Sequence, residues 1–172
     1  MAKKRISFNA LDSQSVNEAI KELDQYINDF NSKFQEFMES LSEKGVVIAK
    51  ARIVTLDAVF TGDLLKSIHY EKRNGGVFVI KTDNEHAAFV EFGTGQMGEE
   101  GPYPYPFPEG VSWDYNSGST IFEIEDGQYG WFYPTEDGWR FTQGMPSRPF
   151  MYEASLDLES IINETAKEVF GK

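Results

Sequence analysis

Residues 91–98 read Glu91-Phe92-Gly93-Thr94-Gly95-Gln96-Met97-Gly98, and the fold turns on what these glycines do. Gly93, Gly95 and Gly98 stand at the spacing G-x-G-x-x-G, the pattern of a turn that cradles the pyrophosphate of a dinucleotide. That chemistry needs a buried strand leading in and a helix leading out, so that helix amides meet the phosphates. Here the lead-in is His86-Ala-Ala-Phe-Val-Glu-Phe92, with an acid two residues before the first glycine. The exit is Glu99-Glu-Gly-Pro102, which predicts no helix and repels an anion. The glycines are therefore read as a turn with positive φ angles, and a doubly wound nucleotide fold is set aside.

Working outward, the apolar positions Val16, Ile20, Leu23, Ile27, Phe30, Phe34, Phe37 and Leu41 step by four and three, the seam of a long helix. Ser15 and Glu18 make a capping box at its start, with Asp12 and Ser13 as alternatives. Gly45 is the candidate stop or kink, after which Val47, Ala51, Val54 and Ala58 form a new stripe. The seam serves packing within the domain or against a neighbouring subunit, and the first is the expectation. Downstream, Leu64–Ser67 reads as a short helix, and two β-rich runs around Asn74-Gly75-Gly76 read as a hairpin. A short helix over Glu85–Phe92 follows. A final helix begins after Met145-Pro-Ser-Arg148, with Pro149 in its first turn and Ser147 as its cap.

Between Glu99 and Arg140 the composition shifts. Nine acids face the single base Arg140, contributing −8 to a total charge of −12. Four of the seven prolines lie in Pro102-Tyr-Pro-Tyr-Pro-Phe-Pro108, and all three tryptophans fall in this stretch. Gly130–Tyr133 and Gly138–Thr142 flank a turn and predict a second hairpin. Trp131, Phe132, Tyr133, Trp139 and Phe141 on it exceed what two strands bury between themselves. They are candidate interface residues, because Tyr and Trp suit surfaces that are half apolar. A lid over the core and a platform for stacking on sugars are the other readings.

The excess of acids argues against sequence-independent nucleic-acid binding, which rests on Lys and Arg displacing counterions. The chain has no cysteine, so disulfides and thiolate chemistry are excluded. No apolar run approaches membrane-spanning length, no apolar signal segment follows the basic start, and a soluble protein of the cytoplasm is expected. His69 and His86 lack partners at metal-ligand spacing, and no G-x-S-x-G elbow is present. Glu99-Glu100 and Glu123, Glu125 and Asp126 read as a solvated acidic face, not a calcium loop. No enzyme, cofactor or metal site is expected.

Three ordered blocks carry a resemblance: Thr61-Gly62-Asp63-Leu64-Leu65-Lys66-Ser67-Ile68, then His86–Gly95, then Met145-Pro-Ser-Arg148-Pro149-Phe150-Met151. Together they resemble the neck proteins of tailed phages and prophages, the head–tail joining or tail-completion minor tail proteins of long-tailed phages. The resemblance covers roughly residues 45 to 155, and His86-Ala87 stands where that family often has Tyr-Ala. It implies a virion protein of the neck, made in the host cytoplasm and assembled as a ring, commonly six-fold. Its implied partners are head connector or adaptor proteins and tail terminator or tail tube proteins, with DNA passing through the ring. A tail terminator is the alternative within that class, and a carbohydrate-binding module is the alternative outside it.

The expected fold is a single α+β domain over residues 1–172: long N-terminal helix, small antiparallel sheet, C-terminal helix, and an acidic insertion over 99–140. Within the motifs, Thr61, Gly62, Leu64, Ser67, Ile68, Phe89, Glu91, Phe92, Gly93, Thr94, Gly95, Arg148, Pro149 and Phe150 are the expected fold anchors. Glu91 and Arg148 are a candidate ion pair that would hold the glycine turn against the last helix.

Overall fold

The computed structural model describes residues 5–58, 62–116, 118–124 and 127–171. A single helix, α1 (Ser13–Thr55), runs for 43 residues, about 64 Å at 1.5 Å per residue. Asp12 caps it by accepting from the Gln14 amide at 3.1 Å. The Ser15 hydroxyl is used elsewhere, accepting from the Asn9 amide, so the expected Ser15–Glu18 box does not form.

Gly45 neither stops nor kinks α1. It is buried, and a Cβ there would collide with the Ile80 side chain and come within 3.1 Å of Leu158. The glycine lets a strand and a second helix approach the α1 backbone together. Because the helix is unbroken, its buried stripe keeps phase through Ser42, Gly45, Ala49 and Ile53. Of the stripe expected after a break, Val47, Ala51 and Val54 face solvent, while Ala58, past the end of α1, joins the core.

After α1 come α2 (Asp63–Ser67) and an antiparallel hairpin of β1 (His69–Arg73) and β2 (Val77–Lys81). Arg73 pairs with Val77 across Asn74–Gly76, where Gly75 and Gly76 take φ of 79° and 76°. Two short helices follow, α3 (Ala87–Phe92) and α4 (Gly95–Glu100). A separate three-stranded antiparallel sheet has the order β3 (Phe122–Ile124), β4 (Gln128–Thr135), β5 (Gly138–Thr142). The expected second hairpin is β4–β5, with Phe132 opposite Phe141 and Pro134 opposite Trp139. The chain ends in α5 (Phe150–Phe170).

Helix α5 lies antiparallel on the second half of α1. At one end Arg52 reaches Asp157 at 2.6 and 2.7 Å and Glu153 at 3.0 Å. Midway, Lys44 meets Glu168 at 2.6 Å and Thr165 at 3.1 Å. At the far end Phe170 packs on Phe30 and Phe37, with ring centroids 6.0 and 5.9 Å apart. The core joins Ala49, Ile53, Leu64, Ile68, Ala87, Phe150 and Ala154. Burying each of Ile53, Ile68 and Phe150 contributes about 1.5–3 kcal/mol. The architecture is the expected α+β class, with two small sheets where one sheet and a hairpin were expected.

Candidate functional site

The three motif blocks, far apart in sequence, meet around one core, and the second and third are joined at the turn of residues 91–98. Leu64 and Ile68 from the first block are buried beside Ala87 and Phe150. Ser67 Oγ donates to the Leu64 carbonyl at 2.8 Å and also shares a 2.6 Å hydrogen bond with Thr82 Oγ1, tying α2 to the end of β2. Gly62 precedes α2 at φ 79°. Thr61 lies outside the described residues.

Gly93 and Gly95 take φ of 86° and 63°, conformations that strain a side chain. They are also crowded. A Cβ on Gly93 would stand 2.8 Å from the Ser147 nitrogen, and one on Gly95 would strike the Gln143 carbonyl and the Trp131 ring. Between them, Thr94 makes an antiparallel bridge to Met145, its amide donating at 2.9 Å and its carbonyl accepting at 3.0 Å.

A helix does leave this turn, contrary to the expectation from Glu99-Glu-Gly-Pro102. Helix α4 opens at Gly95 because tertiary partners hold its first turn. The Gly95 amide donates to the Tyr115 carbonyl at 2.6 Å and the Met97 amide to the Gln143 carbonyl at 3.1 Å. Those are the donors that a pyrophosphate would need. Protein carbonyls occupy them, and that contact is what argues against a nucleotide here.

Glu91 is buried, and its carboxylate sits at the start of α5. Oε2 accepts from the Met151 amide at 2.9 Å and Oε1 from the Tyr152 amide at 3.1 Å. A side chain of α3 thus caps α5, satisfying two of its orphan donors with charge-assisted bonds. Ser147, the expected cap, instead donates its hydroxyl to the Glu91 carbonyl at 2.7 Å. The candidate Glu91–Arg148 ion pair is absent among the described residues. The Arg148 contribution is its backbone amide, which donates to the Val90 carbonyl at 2.8 Å. Pro149 precedes the first helical residue, where its missing N–H costs nothing.

Burial pushes the Glu91 carboxyl above the ordinary range, and the amide bonds from Met151 and Tyr152 oppose that shift. A raised folded pKa means that the folded state binds the proton more tightly. This contribution to stability is complete below the unfolded value, about 4.3, and is lost as pH rises through the folded pKa. Asp157 runs the other way. The Arg52 guanidinium hydrogen-bonded to it holds its carboxyl low, so its contribution is lost as pH falls. Subtracting the denaturation curves of Glu91→Gln from those of the wild type cancels Asp157. The wild type is expected to lose ground to the variant as pH climbs from 4 to 8, and a flat difference would refute this titration.

Phe150 is the one phenylalanine of the three expected anchors that enters the main core. Phe89 and Phe92 are half-buried under the proline-rich run instead. Phe92 meets Tyr103, Trp113 and Phe107 at 5.0, 5.1 and 5.6 Å, and Phe89 meets Trp113 at 5.8 Å. Trp113 Nε1 donates to the Gly93 carbonyl at 2.9 Å, and Tyr105 stacks on Tyr152 at 4.1 Å. Buried Tyr103 has its hydroxyl pKa pushed up to about 12, by desolvation first and the Glu91 charge second. This half of the insertion is a lid. The sequence offers a lid only for the hairpin aromatics, and the Pro-Tyr run gives no local signal of its target on α3 and α5.

The candidate interface residues divide by face. Trp131 and Tyr133 are half-buried on the side toward Gly95. Phe132, Phe141, Pro134 and Trp139 share the opposite face, joined by Phe122. Phe132 packs edge-on against Phe122 and Phe141 at 5.7 and 5.3 Å, yet remains exposed, and Trp139 is 71% exposed. The surrounding acids include Glu123, Glu136 and Asp137, while Glu125 and Asp126 lie outside the described residues. Among the described residues, no group of His, Asp and Glu stands together as a metal site, and no helix is long and apolar enough to cross a membrane.

No curated protein and no solved structure matches the chain. Residues 21–93 match a protein-family model described as "Bacteriophage HK97-gp10, putative tail-component". The matched span takes in most of α1, the first motif block and the second as far as Gly93. Over these residues the chain is similar to a family of structural phage tail components.

Proposed function

We propose that this protein is a structural component of the phage neck that joins head to tail, or completes the tail, as part of a ring. The likeness of residues 21–93 to a phage tail-component family carries the reading. The third motif block supports it, because Arg148–Met151 folds onto the turn of the second block and Phe150 joins the core of the first. Its partners are further copies of itself, head connector or adaptor proteins, and terminator or tube proteins of the tail. The exposed face of Phe132 and Trp139 is the surface offered to a neighbour. Tryptophan at the centre of such a face dominates binding energy when desolvated. The acids of 99–140, turned to the lumen, repel the phosphates of passing DNA and limit adhesion.

Deleting the gene from the phage that encodes it and imaging the lysate tests the role. Full heads and finished tails that stay apart are expected, whereas overlong tails would replace joining with tail termination. Complementation with Trp139→Ala is expected to cut infectious titre roughly tenfold or more while the purified variant keeps its thermal transition. An undiminished titre would remove this face from the assembly.

A further inference from the structure

Among the described residues, the stretch of α1 before Phe30 is half-buried only at Ser15, Val16 and Ala19, and Ser15 bonds back to Asn9. Helix α5 ends level with Phe30 and Phe37, and the tip of the β1–β2 hairpin reaches only as far as Gln35. Residues 13–29 extend beyond both, for about 25 Å of helix. Every residue from 21 to 30 is exposed. Yet this stretch carries the regular seam: Ile20 is 52% exposed, Leu23 50%, Ile27 45% and Phe30 44%. Helices in proteins draw most of their stability from packing an apolar face, and the apolar face of this stretch is exposed.

We propose that residues 13–30 pair with the same segment of a second copy of this chain. Three observations select that occupant. First, steps of four and three from Val16 to Phe30 keep the apolar residues on one line only against another helix, by knobs entering holes. Second, the positions flanking the seam are Asn17, Ala19, Asp24 and Tyr26, so one charge per copy borders it. Glu18, Lys21, Glu22 and Asp29 fall on the outer face. Charged flanks select unlike partners, and nearly neutral ones let two identical segments meet without repulsion.

Third, the exposed area has the size that a weak pairing buries. With Tyr26, the exposed seam presents roughly 450 Å² per copy, within the range for a monomer's largest apolar patch. Two copies bring about 900 Å², the size class of weak association, below the roughly 1,200 Å² of a stable specific interface. The pairing needs neither the neck role nor a ring, so its failure leaves both standing.

The full chain tests this directly. Its mass by light scattering at high micromolar concentration is expected to be twice that of one chain. The Leu23→Lys, Ile27→Lys double variant is expected to run at the mass of one chain with an unchanged core thermal transition, since both residues are already exposed. The chain lacks cysteine, so Leu23→Cys provides a single thiol, and a short bifunctional maleimide is expected to join two copies through it. A wild-type protein at the mass of one chain would overturn the proposal. So would an oligomer that survives the lysines, or an oligomer in which Leu23→Cys stays uncrosslinked.

Discussion

Phe150→Ala is expected to cost about 3–5 kcal/mol of stability, the range for truncating a fully buried aromatic. In a chain of this length that lowers the melting temperature by roughly 10 °C. Phe150 is 0% exposed and sits where α1, α2, α3 and α5 meet, among Ile53, Leu64, Ile68, Ala87 and Ala154. The void cannot close readily. Ile53 belongs to a 43-residue helix held to α5 by Arg52, and the start of α5 is fixed by Glu91. Urea denaturation measures the loss, and a change below about 1 kcal/mol would mean that the site collapses freely.

Gly95→Ala is expected to cost roughly 3 kcal/mol, from two sources that add. The left-handed φ of 63° strains any L side chain by about 1–2 kcal/mol. The new methyl also meets the Gln143 carbonyl and the Trp131 ring, and overpacking of that kind costs about 1–3 kcal/mol. Gly62→Ala separates the terms. Its φ is 79° but nothing lies within 4 Å of the new Cβ, so only the backbone penalty applies. Thermal melts of the two variants are expected to differ by several degrees, with Gly95→Ala lower. Equal melting temperatures would show that the turn yields to the methyl.

Much of the fold was legible because its signals are local and periodic. The steps from Val16 to Leu41 lie on a helix, the Asn-Gly pair closes a hairpin, and the apolar stripe after Arg148 is α5. The errors arise where tertiary contact overrides local preference. Gly45 has the look of a helix stop, yet its missing side chain is the gap into which Ile80 and Leu158 fit. Placing a break there shifted the phase of the next stripe and put Val47 and Val54 on the wrong face. Helix α4 contains two glycines and runs into Gly101-Pro102, so propensity argues against it, and carbonyls 20 and 46 residues away support it. Strand β3 is only three residues long, too short for period to declare it.

At the site, the blocks were found but the bonds between them were not. Glu91 and Arg148 suggested opposite charges meeting, whereas Glu91 serves backbone amides 60 and 61 residues away. Any sequence supplies such amides, so no residue type announces them. The aromatic stretch likewise gave no sign that it would split, with Tyr103 and Trp113 folded inward and Trp139 left outside.

The clasp of Glu91 on Met151 and Tyr152, together with the Thr94–Met145 bridge, draws the two ends of the 99–140 excursion tightly together. The ends are closed by bonds that use none of the excursion's own residues, while its first half, through Tyr115, is bound to the turn and to α5. Doubling the length of a closed loop adds only about 0.6 kcal/mol of entropic cost. Length can therefore change at low cost beyond Tyr115, in the β3–β5 half, while the first half stays tied to the helices it covers.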